Sequence, residues 1–171
     1  MSILPIFIPH AGCPHQCVFC NQKTISGQKL AAVAAAKEQL ARWRSWLRPS
    51  AANEAAFYGG SFTGLPLELQ EELLTLTDAL LDEGFIGSVR LSTRPDYIDE
   101  ERLQLLQCHG VRLVELGVQS LDDKVLAAAE RGHTAAQVAP AVELLQRFGF
   151  QVGLQLMVGM PEQSFASVQE T

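Results

Sequence analysis

Two rhythms of apolar and polar positions take turns along the chain. Short runs at Ile3–Ile8, Glu54–Tyr58, Ser88–Thr93, Val111–Val118 and Gln151–Val158 have the length and composition of strands. Ile3–Ile8 is apolar throughout and is expected to be buried on both faces, as parallel strands commonly are. Between these runs, apolar residues recur at helical spacing over Lys29–Leu47, Leu65–Leu81, Asp99–Gln107, Asp122–Ala129 and Ala135–Phe148. In the first of these Val33, Leu40, Trp43 and Leu47 share a side, and Trp43 and Trp46 read as packing residues. Pro49, Gly84 and Gly110 supply stops, and Thr134 an N-cap. A last amphipathic helix opens at Ser164, Phe165 and Val168.

Strict alternation of strand and helix implies parallel strands joined by right-handed crossovers. The expected fold is α/β, a partial (β/α) TIM-like barrel of about five βα units. Residues 1–171 are expected to form a single domain, the front part of a longer protein. An open doubly wound sheet would want a phosphate-binding glycine loop after the first strand, and none follows Ile8. The polar and glycine-rich stretches instead gather past strand ends, at Gly59–Thr63, Ser92–Arg94, Gln119-Ser120 and Gly159–Glu162. In barrels those ends line one mouth, where catalysis takes place.

The bulk properties narrow the picture further. A length of 171 residues suits one domain with a real core. A net charge of −6 gives no electrostatic case for nucleic-acid binding. No apolar run reaches the ~18 residues of a membrane span, and the N-terminus lacks the features of a signal peptide.

The candidate chemistry lies just after the first strand. Cys13, Cys17 and Cys20 are spaced C-x3-C-x2-C, three of the four cysteines in the chain. Three thiolates on one loop can wrap a face of a 4Fe–4S cluster and leave the fourth iron open. The alternative is a zinc-binding module completed by His10 or His15. A disulfide is disfavoured because one thiol is left over. Clustered reduced thiols imply a reducing, cytoplasmic setting. Cys108, on a predicted helix, reads as an ordinary buried thiol.

With the triplet go Tyr58-Gly-Gly-Ser-Phe-Thr63, Leu91-Ser-Thr-Arg-Pro-Asp96, Glu115-Leu-Gly-Val-Gln-Ser120, Arg131-Gly-His133 and Met157-Val-Gly-Met-Pro161. In this order the chain resembles the radical S-adenosylmethionine (SAM) superfamily. The likeness is to the branch of the Elongator catalytic subunit and the oxygen-independent coproporphyrinogen oxidases. The resemblance implies a 4Fe–4S cluster on Cys13, Cys17 and Cys20, and SAM cleaved reductively to a 5′-deoxyadenosyl radical. It also implies a reducing electron donor of the flavodoxin or ferredoxin type. Gly59, Gly60 and Ser61 match the glycine motif that meets the methionyl amine, and Gln119 the ribose-binding residue. Arg131 matches a partner of the methionyl carboxylate; Phe19, Gly159 and Glu162 match the surroundings of adenine. Gln155 stands where the coproporphyrinogen oxidases carry an acid. The resemblance leaves the substrate unidentified, with tRNA and tetrapyrrole-like molecules among the classes on which related branches act.

Arg94, before Pro95, otherwise reads as a turn residue and Asp96 as a helix cap, while His133 reads equally as a satisfied loop histidine or a substrate contact. His10 and His15 flank the cysteines closely enough to bond sulfur.

Overall fold

A computed structural model describes residues 2–8, 12–20 and 29–171, the side chains of residues 29–31 aside. His10, Ser26 and Gly27 lie outside the described residues. The strands are β1 (Ile3–Phe7), β2 (Glu54–Tyr58), β3 (Ser88–Thr93), β4 (Val111–Gln119) and β5 (Gln151–Leu156). The helices are α1 (Lys29–Trp46), α2 (Leu67–Asp82), α3 (Glu100–Cys108), α4 (Asp123–Ala128), α5 (Val138–Arg147) and α6 (Phe165–Glu170).

All five strands run parallel, in the order β1-β2-β3-β4-β5. Each new strand adds beside its predecessor, so the order never reverses and the sheet has no switch point. That is the topology of a (β/α) barrel wall rather than of a doubly wound sheet.

One face of the sheet carries the core. Leu4, Ile6, Ala55, Phe57, Val89, Leu91, Val114 and Leu116 are buried in one cluster with Leu40, Leu69, Leu73, Leu103, Leu106 and Leu145 from the helices. Burying each large member is worth roughly 2 kcal/mol. The other face is polar. Arg90 bridges Glu115 (2.6 Å) and Glu54 (3.4 Å), Ser88 and Ser92 donate to those same two carboxylates, and Gln155 donates to Ser92. β3 shows this alternation of core and polar residues in Ser88-Val89-Arg90-Leu91-Ser92. This corrects the expectation that β1 is buried on both faces. Leu4 and Ile6 are buried, whereas Ile3 and Phe7 are exposed at 40% and 48%, because helices cover only one face.

Local chemistry explains where helix boundaries move. Pro66 holds Leu65 extended (ψ 156°), so α2 starts at Leu67 behind a 3₁₀ turn at Phe62–Gly64. The stretch expected as one helix from Ala135 splits into a 3₁₀ turn at Ala135–Gln137 and α5. Pro140 falls in the first turn of α5, where its missing N–H costs nothing.

The β1 edge of the sheet is closed by α1. Phe7 N donates to Gln39 Oε1 (2.8 Å), Gln39 Nε2 donates to Phe7 O (3.2 Å), and Trp43 Nε1 donates to Pro5 O (2.9 Å). Side chains thus stand in for a neighbouring strand, and Pro5 has no edge N–H to satisfy. Trp46 stands edge-on to Trp43, with ring centroids 5.6 Å apart, but is 68% exposed rather than packed. Cys108 is exposed, at the end of α3, rather than buried as expected. The helix turn leaves its side chain outside the leucine stripe formed by Leu103 and Leu106.

Candidate functional site

The carboxyl ends of the strands meet at one rim, and a cleft of about 170 Å³ opens there. Cys13 and Cys20 line it from the loop after β1, Gly59, Gly60 and Ser61 from the loop after β2, and Ser92, Thr93 and Arg94 from the end of β3. Gly117 and Gln119 line it from β4, Arg131 from beyond α4, and Gln155 from β5. Three cofactor-binding positions expected from the glycine motif thus share a cleft with two of the three cysteines. Cys17 is nearly fully buried (3% exposed).

The cysteine loop is docked at several points. Gly12 (φ +81°) lies so close to the Ser61–Leu65 turn that a Cβ would sit 2.8 Å from Leu65 N. Val18 N donates to Ala129 O (3.1 Å), and Cys20 N donates to Cys17 O (2.8 Å). The His15 ring packs on Gly132 (φ +82°), where any Cβ would overlap it. Cys13 Sγ lies 3.8 Å from the His15 carbonyl oxygen.

Two buried arginines face the thiols. Arg131 directs Nη1 to Cys17 Sγ (3.8 Å) and Nη2 to the Gly117 carbonyl. Its Nε is buried without a hydrogen-bond partner among the described residues. Arg94 directs Nη1 to Cys13 Sγ (3.9 Å) and to Arg131 O (2.7 Å). Its Nε and Nη2 grip the two carboxylate oxygens of Asp96 at 2.8 and 2.9 Å. Burial works against the charge, but hydrogen bonding and attraction from Asp96, with Cys13 adding, hold the Arg94 guanidinium above its usual range. Far from being a surface turn residue, Arg94 is 2% exposed. Asp96 caps no helix; Asp99 does that for α3, accepting from Arg102 N at 2.9 Å.

Backbone and hydroxyl groups set the rest. Thr93 Oγ1 bonds Ser61 Oγ (3.0 Å) and Thr63 Oγ1, which ties the β2 loop to the end of β3. β4 carries a register irregularity between Gly117 and Gln119. Gln119 is left-handed (φ 71°), a conformation that costs a non-glycine residue on the order of 1 kcal/mol and tends to mark functional sites. A Cβ on Gly117 would meet Arg131 Nη2 at 2.7 Å and Gln119 Nε2 at 3.0 Å, so only glycine lets these two side chains share the cleft.

His133 is buried, and neither ring nitrogen has a hydrogen-bond partner among the described residues. Burial, then the charges of Arg131 and Arg94, push its imidazole down to about 4. Phe19 stands 38% exposed on the cysteine loop, and Gly159 and Glu162 (φ 59°) are exposed beyond β5; none of the three is among the residues lining the cleft. Gln163 closes that last turn, accepting from Gly159 N (2.6 Å) and Met160 N (3.1 Å) and donating to Met157 O (2.9 Å).

Sequence reasoning quoted Arg94, Asp96 and Gly117 within motifs but gave none of them a place beside the cysteines. The signal for Arg94 was present in the alternation of β3, whose rhythm runs directly into it at the strand end. Nothing local distinguishes Gly117 from an ordinary strand glycine.

Comparison with known proteins adds to this geometry. The model of the radical SAM superfamily matches residues 7–171. An uncharacterized protein of Methanocaldococcus jannaschii is 28% identical over 94% of this chain, which spans 52% of that protein's length. A tRNA uridine(34) acetyltransferase of Methanocaldococcus infernus is 39% identical over 43% of this chain and 14% of its own. Among solved structures, coproporphyrinogen III oxidase from Escherichia coli superimposes with a TM-score of 0.76 at 22% identity. That match covers 99% of this chain and 40% of the oxidase, and at such identity it shows the fold. The chain thus spans about half the length, or less, of these relatives. Matched along nearly all of its residues, with its strand ends gathered round a cysteine-lined cleft, the chain belongs to the radical SAM superfamily.

Proposed function

We propose that the chain is the catalytic core of a radical SAM enzyme, with Cys13, Cys17 and Cys20 as ligands of a 4Fe–4S cluster. The observation that carries this reading is the pair of buried guanidiniums aimed at cysteine sulfur, Arg94 at Cys13 and Arg131 at Cys17. A buried cation beside each of these sulfurs compensates the charge of a metal-bound thiolate. Three thiolates supplied by one loop suit a cube, which takes each of them on a different iron and leaves the fourth iron open.

The cleft suits SAM on similar grounds. Arg131 keeps an unpartnered buried Nε in a cleft lined by Cys13 and Cys20, a donor available to a carboxylate. Gly117 lets Arg131 and Gln119 approach each other in the cleft, where a Cβ would meet both. Gln119, held left-handed, offers an amide that can bind hydroxyl groups. When bound, cluster and SAM together supply reductive cleavage of the C5′–sulfur bond. The protein's part is to orient the cofactor, to compensate charge at the sulfurs, and to keep Cys17 away from water.

An electron donor of the flavodoxin or ferredoxin type and a reducing, cytoplasmic setting belong to the same reading. No helix among the described residues is long and apolar enough to cross a membrane. Between tRNA and tetrapyrrole-like substrates, a net charge of −6 does not favour tRNA. The polar sheet face around Glu54, Arg90 and Glu115 would form the substrate-facing wall.

Anaerobic reconstitution with iron and sulfide, followed by dithionite and SAM, tests the proposal. 5′-Deoxyadenosine formed by the wild type and absent from Cys17→Ala is the expected result. Stoichiometric zinc, with neither iron nor acid-labile sulfide retained, would overturn it.

A further inference from the structure

We infer that Arg94, restrained by Asp96, sets the reduction potential of the metal cluster through the sulfur of Cys13. The inference rests on the reading of the three cysteines as a 4Fe–4S site.

Arg94 is among the largest fully buried side chains of the protein, yet it carries a charge. A buried guanidinium persists only where its donors are satisfied. Three groups satisfy this one: the Asp96 carboxylate through two parallel bonds, the Arg131 carbonyl, and Cys13 Sγ. The first is an ion pair and the second a backbone anchor. Neither requires Arg94 to lie beside sulfur, whereas the third brings a cation to within 3.9 Å of a ligating atom.

The potential of an iron–sulfur cluster depends on net charge, on hydrogen bonds to sulfur and on solvent exposure. Arg94 acts on the first two. Its charge and its N–H both favour the more electron-rich, reduced state, so its presence raises the potential. Asp96 opposes it. Its carboxylate partly cancels the cation, and its two bonds orient the guanidinium so that Nη1 faces Cys13. The pair is thus a graded device, a potential-raising cation trimmed by a fixed anion. Arg131 stands in the same relation to Cys17, but it also lines the cleft beside Gln119, so changes there would alter cofactor binding as well. Arg94 is the cleaner handle. It is a positioning and tuning residue, because it acts on the cluster through Cys13.

The test is the midpoint potential of the reconstituted cluster, titrated without SAM and followed by electron paramagnetic resonance. Wild type, Arg94→Gln, Arg94→Lys and Asp96→Asn are compared, with iron and acid-labile sulfide measured for each. Arg94→Gln should shift the potential down and Asp96→Asn should shift it up. Arg94→Lys, which keeps the charge, should fall between Arg94→Gln and wild type. Equal potentials in all four proteins, or shifts of Arg94→Gln and Asp96→Asn in the same direction, would overturn the inference. If Arg94→Gln does not fold, Asp96→Asn and Arg94→Lys decide together, because potentials above and below that of the wild type, respectively, are opposite shifts that a merely loosened site does not produce. A wild type that retains no iron and sulfide would instead overturn the cluster reading beneath it.

Discussion

The imidazole of His15 rests on the bare Cα of Gly132, so close that a single methyl group on the glycine would overlap the ring. Through this contact the cysteine loop, which contains His15, is seated on the loop that delivers Arg131 and His133. Gly132 also has φ +82°, a conformation that penalises any side chain. Gly132→Ala should therefore unseat the cysteine loop and lower the iron retained after reconstitution several-fold. Adding His15→Ala removes the overlap but not the backbone penalty of about 1 kcal/mol. Iron retention should recover in part in the double variant, and a double variant no better than Gly132→Ala would sink the steric account.

His133 makes stability depend on pH. Its folded value of about 4 lies below the 6.5 of an unperturbed histidine, so the folded state favours the neutral ring. Above pH 6.5 both states are neutral and no penalty exists. As pH falls from about 6.5 to 4 the unfolded chain takes up the proton first, and stability declines, by at most roughly 3 kcal/mol, before levelling off. Urea midpoints of wild type and His133→Asn, measured across that window, should converge as the acid limb is reached. A wild-type limb no steeper than that of the variant would contradict this.

Gly117 separates two side chains in the cleft. Gly117→Ala would press on Arg131 Nη2 and Gln119 Nε2 without changing any backbone dihedral that alanine dislikes. SAM affinity, measured by isothermal titration of the reconstituted protein, should fall about tenfold or more, equivalent to ~1.4 kcal/mol. Thermal stability should change little, and an unaltered affinity would show that neither side chain contacts the cofactor.

Gln39 occupies the outer edge of β1 with a paired donor and acceptor. Gln39→Ala should cost roughly 1–2 kcal/mol in urea unfolding, the usual loss for uncovered backbone groups. It should also raise the tendency to self-associate, because a bare strand edge is a template for pairing. Gln39→Glu keeps the acceptor and loses the donor, and should fall between wild type and alanine.

The order of the elements and their placement could be read from the chain because both follow from local rules. Period-two and helical spacings locate β2 and β3 at the residues expected, Glu54–Tyr58 and Ser88–Thr93, and strict alternation makes the strands parallel. The cysteine triplet was legible because its members lie close together in sequence, and the glycine motif after β2 because glycine marks close approach. What the chain could not reveal were relations between residues far apart along it. Arg94 meets Cys13 across 81 positions and Arg131 meets Cys17 across 114, and no local pattern encodes such pairings. The burial of Arg94 likewise depends on how β3, the cysteine loop and the turn after α4 close around one point. So does the collision that keeps Gly132 a glycine. Sequence alone determined which segments become strands and helices, since each residue's backbone preference and apolar spacing act over a few positions. Tertiary structure decided which charges face the thiols, because electrostatic and steric contacts act through space and arise only once the strand ends have been brought to one rim.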